Sequence, residues 1–378
     1  MDQEMIPSPV ILKAGSYGQE DLAKLRQGHL VWKQHDIIAD QLAELFEIQN
    51  PEQLLDPDFL EKQQSFVARR LGDRADLVGD WVYLPWNGQL IHMVEQENFE
   101  RLRSNRNQNL VTADEQAVLG EASVSIAGLS VGNGIALGLA QHGIRTLRLS
   151  DDDTLETCNL NRLRAGIYQL GLSKQEVAAQ QLWELNPYLD LSFIGRLTEK
   201  TISEFLESPK PVAVFDEIDD FEMKIRLRIA ARDLGVPVLM LTSLGDNILI
   251  DVERYDLDSN GELFHGLLGS LPEEILSKPI TESAKMRYAM ELVGAKYVPT
   301  RALSSLVQVN HTLVGRPQIA SAIIMDGGVG AFLIRRLALG QDLPAGRYYL
   351  SLTEIMNVEE IDNDRRDAII EMIRKEPQ

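Results

Sequence analysis

Between residues 123 and 241, short apolar runs alternate with longer helical stretches, and this rhythm constrains the fold more than any other feature of the chain. Ser123–Gly128 is an apolar run of strand length, followed by a small-residue helix over Gly132–His142 that ends at Gly143. Arg145–Ser150 is a second strand, and Lys174–Asn186 a helix stopped by Pro187. Leu189–Ile194, Pro211–Phe215 and Val236–Leu241 read as further strands, with helices over Glu199–Glu207 and Phe221–Leu234 between them. Successive strands joined by a helix lie parallel with right-handed crossovers. The predicted fold class is α/β: a doubly wound, Rossmann-like, mainly parallel sheet with helices on both faces.

The flanks read differently. Residues 1–100 are expected to form a small N-terminal α+β appendage. Apolar side chains at Ile37, Ile38, Leu42, Leu45 and Phe46 predict a helix over 36–49, stopped by Pro51. Residues 81–94 predict a hairpin around Asn87-Gly88, with Pro85 placing its first strand at an edge. A polar stretch, Arg101 to Gly120, leads into a domain covering 101–378, with the alternating core at about 120–245 and a differently patterned part at about 246–378. Beyond Thr242, Ile248–Tyr255 alternates like an antiparallel strand. Helices are predicted over Glu282–Val293, Leu303–Leu313 and Ser321–Leu339, the last with Gly327, Gly328 and Gly330 packed tightly against the sheet. Residues 341–378 read as a strand and a charged terminal helix.

A formal charge of −20 disfavours a nucleic-acid partner, because such a surface repels phosphates and no long basic cluster offsets it. Residues 1–9 lack a basic, apolar signal and no run approaches 18 apolar residues, so a cytoplasmic protein without a membrane partner is expected. One cysteine, Cys158, can form neither an intrachain disulfide nor a Cys-x-x-Cys zinc site.

The junction Ala127-Gly128-Leu129-Ser130-Val131-Gly132-Asn133-Gly134 joins a strand to a helix. Glycines there let backbone amides approach a phosphate or ribose at a helix N-terminus that favours negative charge. Gly128, Ser130 and Gly132 are the candidate binding positions. Aligned on Gly-x-Gly-x-x-Gly, Ala127 and Leu129 replace glycines, and a turn that merely packs helix on sheet is the other reading. Asp151 ends the second strand, where an acid commonly takes ribose hydroxyls. This feature does not separate NAD from ATP.

The segment from Asp151 onward is more specific. Asp151 and Asp153, then Asn159-Leu160-Asn161-Arg162, Gly171-Leu172-Ser173-Lys174, Asn186-Pro187 and Asp216-Glu217-Ile218-Asp219-Asp220 occur in that order. These five blocks resemble the ThiF/MoeB/ubiquitin-activating-enzyme family of adenylyltransferases over roughly residues 105–255. The resemblance implies ATP- and magnesium-dependent adenylation of a carboxylate, giving an acyl-adenylate and pyrophosphate. The carboxylate would be the C-terminus of a ubiquitin-like or sulfur-carrier protein, a peptide or a small acid.

It also implies roles. Arg162 and Lys174 would grip the triphosphate, one as a bidentate fork and one as a point charge. Asp219 would be the magnesium ligand, Asp151 would hold ribose, Asn159 would orient phosphate, and Asp153 would shape the loop or assist the metal. Arg106 would reach the phosphates of a second copy in a homodimer, although Arg103 competes for that part. Read without the family, Arg162 and Lys174 are solvated charges and Asp219 caps the helix at Phe221.

The chain departs from many relatives. Its cysteine lies inside the nucleotide segment, so no enzyme-bound thioester is expected, and Cys158 is expected to be a buried packing residue. The paired zinc cysteines are missing, and the layout is similar to a bacterial ThiF-like subgroup. His265 follows the family's crossover region and is expected to be structural. Two other functions remain open: a non-catalytic module that kept the fold, and an NAD-dependent oxidoreductase, which leaves Asn159, Arg162, Lys174 and Asp219 unexplained.

Overall fold

The computed structural model describes residues 6–207, 209–277, 282–359 and 362–375. The first five and last three residues, included in the readings of 1–9 and 341–378, lie outside them. The chain divides into two compact units: Met1–Ala117 with Ala179–Leu189, and Val118–Ala178 with Asp190–Gln378. The sequence alone put the division near residue 100.

The first unit holds β1 (Val10–Leu12), β2 (Lys33–Asp36), β3 (Asp80–Leu84) and β4 (Gln89–Met93), in the order β1-β3-β4-β2. The predicted helix runs from Ile38 to Gln49 and buries Leu42, Leu45 and Phe46, as their spacing requires. β3 and β4 form the predicted antiparallel hairpin, with Leu84 opposite Gln89. Pro85 does not mark an edge: β3 lies between β1 and β4. Proline is tolerated because it falls one residue after the strand, where no ladder hydrogen bond is needed.

The second unit is built on seven strands: β5 (Ser123–Ala127), β6 (Thr146–Ser150), β7 (Asp190–Ile194), β8 (Ala213–Asp216), β9 (Val238–Leu244), β10 (Asn247–Glu253) and β11 (Gly346–Leu350). Their order is β11-β10-β9-β8-β5-β6-β7. β5 to β9 are parallel, and β10 runs antiparallel between β9 and β11. Helices flank this mainly parallel sheet, as predicted. β5 is central, and Val124, Ile126 and Ala127 have no exposed surface. The sheet grows one way through β6 and β7, then returns to the other side of β5 with β8. That reversal opens a crevice at the strands' carboxyl ends, where ligands bind in such sheets. Ala127 pairs with Ser150 on one side and Asp216 on the other. The glycine turn, the Asp151 loop and the Glu217–Asp220 loop therefore emerge side by side.

Two readings of the later half change. The helix expected over Leu303–Leu313 spans Thr300–Leu306, and the chain then turns through Asn310 at φ 66°. The glycines of the long helix Ala320–Ala338 chiefly face another helix rather than the sheet. A Cβ on Gly138 would lie 2.5 Å from the Gly327 carbonyl oxygen, and one on Gly327 would lie 2.6 Å from that of Gly134. Gly138→Ala is expected to cost about 1–3 kcal/mol by overpacking. Gly328, exposed on the same helix with nothing within 4 Å of an added Cβ, is expected to gain up to about 1 kcal/mol on substitution by alanine. Urea unfolding of the two variants checks these opposite signs.

Candidate functional site

A cavity of about 820 Å³ opens in the second unit, and Ser130, Asp153, Asn159, Arg162, Lys174 and Asp219 all line it. Six residues chosen from sequence thus share one space. Its lining is also partly apolar, with Met240, Leu244, Met290, Val293, Val298 and Leu306.

Arg162 follows the short turn Thr157–Asn161. Its Nη2 donates to Ser130 Oγ at 3.2 Å and its Nη1 to Asn161 Oδ1 at 2.9 Å. Its Nε is buried without a partner. Burial lowers the pKa of the guanidinium, and Cys158 and Asp219 pull it back up. Arg162 remains a cation. Lys174 is only 7% exposed and begins the helix Lys174–Leu185. Its Nζ donates to Asp153 Oδ2 at 2.6 Å, and its backbone amide to the Asp153 carbonyl at 2.9 Å. Asp153 is therefore the acid that holds the lysine.

Asp219 is free of the capping duty: the helix Phe221–Leu234 is capped by Asp220, whose Oδ1 accepts from the Met223 amide at 3.1 Å. Asp219 Oδ1 instead accepts from Arg316 Nη2 at 2.9 Å. Asn159 is buried and fixes its own turn, with Oδ1 accepting from the Glu156 amide at 2.9 Å.

The remaining candidates lie off the cavity wall. Asp151 Oδ2 accepts from the Leu129 amide at 2.6 Å and Oδ1 from the Asp153 amide at 2.8 Å, and burial raises its pKa. It ties the glycine turn to the acidic loop. Gly128 has φ 91°, and a Cβ there would lie 2.3 Å from the Glu217 carbonyl oxygen. On Gly132 a Cβ would lie 2.5 Å from Ile126 Cγ2. Both glycines are required by packing, the first against the β8 loop and the second against β5. Arg106 is exposed in the first unit, in the turn Asn105–Asn107, and Arg103 pairs with Glu100 at 2.9 Å.

Cys158 is exposed, not buried. Its turn points the thiol outward, 3.4 Å from Glu156 Oε2. His265 lies beside Asp251, with Nε2 3.3 Å from Oδ1, next to Arg347.

Sequence reasoning missed four residues. Arg316 and Ser243 line the cavity, and so does Glu217, whose pKa is driven well above the usual range by burial and by Asp326. Asp326 has no exposed surface; its Oδ2 accepts from Ser243 Oγ at 2.7 Å and burial pushes its pKa up to about 7. A lone acid inside the apolar run Ser321–Leu339 was the available signal for Asp326.

The donor set suits magnesium. This ion keeps several waters and needs only one or two protein carboxylates when phosphates supply the rest. Asp219, on the cavity wall it shares with Arg162, offers one. Among the described residues Asp151, Asp152 and Asp153 also cluster, but Asp151 is committed to backbone amides and Asp153 to Lys174.

Residues 103–247 match the ThiF family. The chain is 36% identical over 304 residues to the uncharacterized protein MT1398 of Mycobacterium tuberculosis (strain CDC 1551 / Oshkosh), covering 80% of this chain and 40% of that protein. It is 29% identical over 138 residues to the sulfur carrier protein ThiS adenylyltransferase of Escherichia coli (strain K12), covering 36% of this chain and 54% of that one. It thus spans well under two thirds of these relatives. The crystal structure of PaaA superposes with a TM-score of 0.50 at 19% identity, covering 81% of this chain and 93% of that chain, a likeness of fold. Motif order, fold and comparison agree on a domain at residues 103–247 that matches the ThiF family.

Proposed function

We propose that this chain adenylates a carboxylate with ATP and magnesium. The observation that carries the reading is the convergence of Arg162, Lys174 and Asp219 on one cavity at the sheet's carboxyl edge. A carboxylate oxygen attacks the α-phosphorus, the bond to the bridging oxygen of the β-phosphate breaks, and pyrophosphate leaves. Attacker and target are both anionic, so positive charge must be preorganised around them. Arg162 and Lys174 supply it, and Asp219 would hold a magnesium ion, which would add positive charge against the phosphates. The substrate is the C-terminus of a ubiquitin-like or sulfur-carrier protein, a peptide or a small acid. Similarity to a ThiS adenylyltransferase supports that class. Arg106 serves the neighbouring copy of a homodimer.

The test is ATP–pyrophosphate exchange with magnesium, screened against carrier proteins, peptides and small acids. Exchange dependent on one of them is expected. Tight ATP binding with no exchange against any of them would favour the non-catalytic module, a reading encouraged by the Leu129 amide, which Asp151 already takes. Cys158→Ala is expected to keep exchange within about twofold, because the thiol is off the cavity wall and transition-state donors alone carry factors of about 10²–10³; complete loss would place Cys158 in the adenylation step itself. Among the described residues no helix is long and apolar enough to cross a membrane.

A further inference from the structure

We propose that Arg316 is a third phosphate-binding cation of this cavity, carried by the loop between the helices Thr300–Leu306 and Ala320–Ala338 and handed from Asp219 to the nucleotide's polyphosphate. The proposal rests on the nucleotide reading above and adds a residue from outside the 103–247 family domain.

Three observations carry it. Arg316 lines the same cavity as Arg162, Lys174 and Asp219. Its Nη2 lies 2.9 Å from Asp219 Oδ1, so the guanidinium covers the carboxylate assigned above to the metal. The loop is also anchored: Asn161 Nδ2 donates to the Gln318 carbonyl at 2.8 Å, so the chain two residues beyond Arg316 is fastened to the residue next to Arg162. Pro317 stands between them and fixes its own φ.

The ion pair itself is built to exchange. Its side chains are 58% and 92% exposed, and pairs so open to water are weakly held. A polyphosphate offers more charge and a bidentate match to the guanidinium. Asp219 also poses a problem that Arg316 answers. A bare carboxylate repels an incoming triphosphate, and the arginine neutralises it until a metal takes over that oxygen. Relieved of Asp219, the guanidinium is free to turn to a polyphosphate held in the same cavity by Arg162 and Lys174. Its role is in binding and charge neutralisation, alongside Arg162 and Lys174.

Calorimetric titration of the full chain with ATP and with AMP, at saturating magnesium, tests this. Arg316→Ala is expected to weaken ATP binding roughly tenfold, as loss of one charge-assisted contact does. AMP binding should change less than twofold, and Arg316→Lys should recover part of the ATP affinity. Because the residue is exposed, the melting temperature of both variants should match that of the wild type. Unchanged ATP binding in Arg316→Ala, or equal weakening of ATP and AMP, would overturn the proposal. A wild-type chain that binds no ATP would instead remove the nucleotide reading, so the two failures are told apart.

Discussion

Lys174→Met should reduce pyrophosphate exchange by about 10²–10³ while leaving the melting temperature unchanged or slightly higher. The two halves of this expectation come from the same position. Lys174 is the first residue of its helix. A positive charge there opposes the helix dipole, at a cost of about 0.3–1 kcal/mol. The side chain is also only 9% exposed, which strips an ammonium of water. Its one carboxylate partner, Asp153, is 69% exposed, and such a half-open pair returns on the order of 1 kcal/mol at most. Methionine keeps the apolar stem and removes the charge, so the fold loses little or gains. A residue that stability does not favour, on the wall of a cavity shared with Arg162 and Asp219, is explained by an anionic ligand. Exchange kinetics and thermal melts of the same preparation check both halves. Near wild-type exchange would remove Lys174 from the chemistry, and a large fall in melting temperature would make it structural.

Parts of the site could be read in advance because they lie in contiguous blocks. Ser130, Arg162 and Lys174 follow strands and short loops whose order the crossover rule constrains. That β8 returns beside β5, opposite β6, is a sheet-order fact with no local signal, yet it brings Asp219 to the others. Arg316 is 97 residues from the aspartate it pairs with. No periodicity links such positions, so the sequence had no means of nominating it. Glu217 was inside a recognised block but carried no separate mark, and its environment is set by Asp326 from a distant helix. Local rules also failed where the neighbourhood decided the outcome. Pro85 was read as an edge signal, but the strand ends one residue before it. Cys158 was read as buried from its residue type, and its tight turn exposes it.

Arg228→Met should be the most destabilising of the substitutions considered, by about 3–5 kcal/mol. Arg228 has no exposed surface, and its guanidinium lies 3.8 Å from the ring centre of Phe264. Its Nη1 donates to Asp216 Oδ2, and its Nε to Glu253 Oε2 at 2.7 Å. Removing it strands two buried carboxylates, the situation in which breaking a buried pair costs most. Neither acid is left bare. Asp216 keeps Lys224 at 3.1 Å, and Glu253 keeps the Tyr255 hydroxyl at 2.6 Å and the Phe264 amide at 2.7 Å. A weakened but folded protein is therefore expected. The deficit should depend on pH. Burial alone would raise the Asp216 pKa, but Lys224 and Arg228 more than offset it and hold it below its ordinary value. A depressed carboxylate contributes stability above its unfolded pKa of about 4, and that contribution is lost as pH falls through the folded value. Wild type and variant should thus differ most near neutral pH and converge in acid. Asp216 also ends β8, three residues before Asp219. Loosening it should lower exchange even where the variant remains folded. Urea unfolding at pH 7 and at the lowest pH at which the wild type stays folded checks the energy, and a deficit that grew in acid would show that Asp216 is not held by Arg228.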